Sequence, residues 1–103
     1  MFQRQQVHQK STTDYDLAGL AKRVAAMVKK MESATIETMH NIKGEAKSLE
    51  RELDKKEDLA ESDYRQGLLT HAGYKSADRE IEYSEDLLDN AEDAMERRLG
   101  YDD

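Results

Sequence analysis

The chain has 103 residues, no cysteine and no proline, 38% charged side chains and a formal net charge of −7. The missing cysteine excludes disulfides, zinc–thiolate centres and thiol catalysis, and the length limits the chain to one domain with a thin core. Leu, Ile, Val and Phe supply only 17 residues, a composition close to that of disordered chains, so order has to come from where the apolar residues stand.

Residues 1 to 13 (MFQRQQVHQKSTT) carry two cations, no anion and no sustained period, and read as a flexible N-terminal tail. Thr12, Thr13 and Asp14 offer oxygens to the free amides of a helix start, and Asp14 and Asp16 suit the positive end of its dipole. From there apolar residues recur at three and four residue steps. Leu17, Leu20, Val24, Met27 or Val28, Met31, Met39, Ile42, Ala46, Leu49 and Leu53 form one seam, which predicts a long helix over 14–56. At roughly 1.5 Å per residue such a helix would span about 65 Å.

The seam slips once, where Met31, Thr35, Met39 and Ile42 are spaced four, four and three, a stutter that would locally unwind a supercoil. Gly44 stands shortly after it without other turn signals, so the reading is one helix, bent at most near 41–44. Asp58 and Glu61 have the spacing of a capping box, and Tyr64, Leu68 and Leu69 follow on one face, which predicts a short helix over 59–70. Leu59-Ala60-Glu61-Ser62-Asp63-Tyr64 also resembles the opening of the short helical modules called SHOCT domains, and no function is carried over from that resemblance. Gly67 and Gly73 bracket a loop around Thr70–Ser76, with Ser76 as the next cap. A last helix over 76–99 then uses Ala77, Ile81, Leu87 or Leu88, Ala91, Met95 and Leu99, closes at Gly100, and leaves an acidic tail over 101–103.

Charge is uneven along the chain. Residues 14–58 carry nine basic and ten acidic side chains, whereas residues 59–103 carry five and thirteen. The acidic excess therefore falls on the last helix and the tail.

Little in this pattern suggests chemistry. Glu37-x-x-His40 has the spacing of a carboxylate-bridged metal site, but Met39, Ile42 and Ala46 centre the buried face and Glu37 points nearly opposite, so no metal is expected. His71 and Tyr74 could serve as an acid and its partner, yet a general acid needs a shaped pocket and a second positioned group. No glycine-rich phosphate loop is present. The expectation is a chain with no catalytic, cofactor or metal site.

The apolar runs are too short to cross a membrane, and Met1 to Lys10 lacks the core of a secretory signal, so a cytoplasmic protein that binds neither membrane nor nucleic acid directly is expected. The predicted fold is all-α: a long helix, a short connecting helix and an antiparallel second long helix in a single helical domain over 14–100. A last helix of 76–99 covers only about half of a helix of 14–56 at equal rise. The seam residues Leu17, Leu20, Val24, Val28, Met31, Met39 and Ile42 are thus expected to meet further copies in a coiled-coil or bundle homo-oligomer, or a protein partner. The function so implied is a scaffold, adaptor or assembly factor. A second reading assigns the acidic face of the last helix, Glu82, Glu85, Asp86, Asp89, Glu92 and Asp93, to mimicry of nucleic acid against a basic DNA- or RNA-binding protein, as in some small phage-encoded inhibitors.

Overall fold

The computed structural model describes residues 15–100, which fold into three helices: α1 (Leu17–Glu32), α2 (Ile36–Arg65) and α3 (His71–Arg98). The all-α, three-helix arrangement expected from the periodicity is present. The predicted tail over 1–13, the start at Asp14 and the acidic tail over 101–103 lie outside the described residues.

The breaks fall elsewhere than the periodicity suggests. The seam of 14–56 is not one helix: the chain leaves α1 after Glu32 and re-enters a helix at Ile36. Thr35 is extended, its hydroxyl accepts from the Thr38 amide at 3.3 Å, and the Thr38 hydroxyl accepts from the Thr35 amide at 2.9 Å. This reciprocal capping satisfies two amides that a helix start leaves free. At the same turn the Arg98 guanidinium donates to the carbonyls of Met31 (2.8 Å) and Ala34 (3.1 Å), which ties the end of α1 to the end of α3.

Nor is there a separate helix over 59–70. Asp58 and Glu61 sit inside α2, which runs without interruption through Gly44 and on to Arg65. Gly67, with φ of 78°, then takes the left-handed conformation that a β-carbon disfavours. The loop is Gln66–Thr70, earlier than expected, because Thr70 rather than Ser76 caps α3: its hydroxyl accepts from the Gly73 amide at 3.0 Å. Leu99 and Gly100 end α3 where the sequence places its close.

The helices run up, down and up. Tyr15 bonds Asp63, Arg23 pairs with Glu52 and Lys30 with Glu45, so α1 is antiparallel to α2. Lys43 meets Glu96 at 2.5 Å, so α3 is antiparallel to α2 and parallel to α1. The core takes Leu17, Leu20, Val24 and Met31 from α1, Met39, Ile42, Ala46, Leu49, Leu53 and Ala60 from α2, and Ala77, Ile81, Leu88 and Met95 from α3. Ala46, Ala60 and Ala77 are at most 1% exposed, which shows how closely the backbones approach. Among the described residues no buried side-chain polar atom lacks a hydrogen-bond partner; the Tyr15 hydroxyl, for example, donates to the buried Asp63 carboxylate at 2.8 Å.

Two substitutions test this arrangement. Thr35→Ala removes the cap of α2 and should cost about 1 kcal/mol in denaturant unfolding. Gly44→Ala, where an added β-carbon meets nothing within 4 Å, should stabilise the fold by about 1 kcal/mol; a loss of stability there would contradict a continuous α2.

Candidate functional site

The seven seam residues expected to face another copy lie within a single chain. Leu17, Leu20, Val24, Met31, Met39 and Ile42 are 1–7% exposed or fully buried against the other helices, and only Val28 stays half-buried at the surface. The reason is the turn at Ser33–Thr35. It turns the first half of the seam back beside the second, and both halves then pack on α3, so the chain itself covers the apolar surface.

Ile36, Leu59 and Tyr64 are exposed singly on α2, and a further apolar surface is exposed between α1 and α3. Near the start of α1 it is lined by Leu17, Ala21, Tyr83 and Ser84. Toward the end it widens to a groove of about 490 Å³ whose walls include Val28 and Met31 on one side and Leu87, Ala91, Ala94 and Met95 on the other. Tyr83 is 66% exposed and Leu87 36%. Ala18 and Ala25, both exposed, stand one helical step either side of Ala21, so near the start of α1 small residues on α1 lie beside the large Tyr83 and Leu87 of α3, whereas toward its end Val28 and Met31 lie beside Ala91 and Ala94. Periodicity could not separate Leu87 from Leu88; the structure buries Leu88 completely and leaves Leu87 on the rim.

The six acidic-face residues of α3 divide. Glu82, Asp86, Asp89 and Asp93 are exposed, whereas Glu85 and Glu92 are half-buried toward α2. There they meet carboxylates that the sequence reading did not single out. Oxygens of Asp54, Glu57 and Glu85 lie within 4.8 Å of one another, as do those of Glu50, Asp89 and Glu92. Glu50 and Glu57 on α2, and Glu85 and Glu92 on α3, stand seven residues apart, so the α2–α3 edge carries carboxylates along two turns. A hydrogen bond with Asp78, partial burial and the neighbouring Asp54 and Glu82 push the Glu57 carboxyl up to about 7. Partial burial, a hydrogen bond with Asp54 and the charge of Glu57 do the same to Glu85, also to about 7. Burial and the charge of Glu50 raise Glu92, against the opposing pull of Lys43 and Lys47. Such grouped carboxylates can share protons or hold a cation.

The other candidates do not assemble. Glu37 and His40 are both exposed on α2. His71 and Tyr74 belong to the first turn of α3 rather than a loop. Their neighbour is Tyr64, whose hydroxyl lies 3.0 Å from His71 Nδ1 and whose ring stacks on Tyr74 with centroids 4.9 Å apart. That cluster staples the α2–α3 corner. Among the described residues no helix is long and apolar enough to cross a membrane. No protein-family model matches the chain, and no match is found among curated proteins or solved structures.

The carboxylate edge makes stability depend on pH. Glu57 and Glu85 bind protons more tightly in the folded chain than at their ordinary value of 4.5. The folded state therefore holds more protons between about 4.5 and 7, and stability falls as pH rises through that window. Thermal unfolding should show a midpoint that declines from pH 5 to pH 8, and Glu57→Gln with Glu85→Gln should flatten the decline. An unchanged slope in the double variant would contradict the shared protonation.

Proposed function

We propose that this protein is a non-enzymatic helical interaction module, a scaffold, adaptor or assembly factor, and that the groove between α1 and α3 is its docking surface. The observation that carries this reading is the exposure of Tyr83 and Leu87 beside Val28, Ala91 and Ala94. Among the described residues large apolar side chains are also exposed at Ile36, Leu59 and Tyr64, whereas Tyr83 and Leu87 stand together on one groove. A groove between two parallel helices, apolar at its floor and polar at one end, where Glu32 and Arg98 stand, suits an amphipathic helix that contributes its own apolar face.

A second reading rests on a separate observation. Glu82, Asp86, Asp89 and Asp93 form an exposed row at four, three and four residue steps on the outer side of α3, which suits a basic partner and supports mimicry of nucleic acid.

One experiment separates the two. Tyr83→Ser with Leu87→Asp alters only exposed positions and should leave helicity and unfolding midpoint nearly unchanged, while abolishing capture of protein partners from the native source. Glu82→Lys with Asp89→Lys should spare that capture. The opposite pattern, in which only the charge reversals abolish capture and salt weakens it steeply, would replace the groove with the acidic row.

A further inference from the structure

We propose that the groove between α1 and α3 receives the same groove of a second copy, in a two-fold dimer whose axis runs along the bundle, so that α1 of each copy lies on α3 of the other. The proposal rests on the groove being the docking surface and names its occupant.

Shape points to this pairing. Near the start of α1 the large side chains of the exposed face, Tyr83 and Leu87, belong to α3, and the small ones, Ala18, Ala21 and Ala25, belong to α1. Laying α1 on α3 at equal height seats Tyr83 and Leu87 over the partner's Ala18 and Ala21, twice in each dimer.

Charge points the same way. The outer edge of the α1 face carries Lys22 and Lys29, and the outer side of α3 carries Asp86 and Asp93, flanked on the same line by Arg79 and Arg97, all exposed. The two lysines, like the two aspartates, are seven residues apart, two turns of helix, and so lie on one line. The heights agree as well. Leu17 and Ala21 line the same stretch of groove as Glu80 to Ser84, and Met31 lies level with Arg98, which donates to its carbonyl. In this frame Lys22 stands within a turn of Asp86, and Lys29 within a turn of Asp93. A two-fold axis along the bundle keeps heights unchanged while exchanging α1 with α3. It therefore brings Lys22 to Asp86 and Lys29 to Asp93 across the interface, four contacts in all. A two-fold axis across the bundle would bring lysine to lysine and aspartate to aspartate, which is repulsive.

The test uses the full chain in sedimentation equilibrium over a concentration series. Wild type should form a dimer that salt weakens. Lys22→Glu with Lys29→Glu, and separately Asp86→Lys with Asp93→Lys, should each weaken self-association by about tenfold or more, with helicity unchanged because all four positions are exposed. Mixing the two variants one to one should restore the dimer, because each interface half then pairs glutamate with lysine or lysine with aspartate. A monomeric wild type, or a mixture that fails to recover, would overturn the pairing. If the wild type is monomeric while Leu87→Asp still abolishes capture of another protein, the pairing is wrong and the groove keeps its role; if the dimer forms and Leu87→Asp leaves it intact, the groove itself is wrong.

Discussion

The structure depends on the three-residue turn at Ser33–Thr35. Without it, α1 and the first half of α2 would continue one another and present a single apolar stripe too long for α3 to cover. With it, that stripe folds on itself, and three helices close around a core that one chain supplies. The turn is held from both sides. Thr35 and Thr38 cap each other's backbone amides, and Arg98 donates to the carbonyls of Met31, which also accepts from the Ala34 amide, and of Ala34. Each contact is modest in water, on the order of 1 kcal/mol, but together they satisfy polar backbone where a helix has stopped, and they make the stop specific to one place.

Closing the bundle brings α3 against α2, and the charges of the two helices then conflict. α3 is the most acidic element of the chain, and along α2 it faces Glu50, Asp54 and Glu57. Lys43 and Glu96 offset this at one end of the edge. Farther along, the carboxylates meet one another, and the fold responds by holding protons. The cost falls on the half-buried edge rather than on the core, where Asp63 is bonded by Tyr15. Stability that decreases as the edge ionises follows directly from this arrangement.

The periodicity identified nearly every core residue, because apolar spacing reports which face of a helix is buried. It could not report what covers that face. A turn of three residues between Met31 and Met39 preserves the four-residue steps on either side, so the break resembles a stutter inside one helix. The Thr35–Thr38 box lacks the acidic third residue that usually marks such a start, whereas Asp58 and Glu61 have that signature and stand in the middle of α2. Past Leu53, α2 keeps its buried face with Ala60 and Asp63, residues too small or too polar to register as a seam. The groove was hidden for a related reason: alternating Leu87 with Leu88 satisfies the same period, and only the positions of α1 and α2 around α3 decide which one is left outside.

A core completed within one chain changes what association can do for this protein. An obligate coiled coil buries its seam only when a partner arrives, so binding and folding are one event and the ordering cost falls on the interface. Here Leu17, Leu20, Val24 and Met31 are already buried, and the surface left over is a rigid pair of parallel helices with a preformed apolar floor. Binding to such a surface requires little ordering of the backbone and is set by the rim: which large side chains find small ones, and which charges stand at equal height. Tyr83, Leu87 and the lysine and aspartate pairs occupy that rim without being needed inside the bundle. Their substitution should therefore leave the fold in place, because none of them contributes to the buried core.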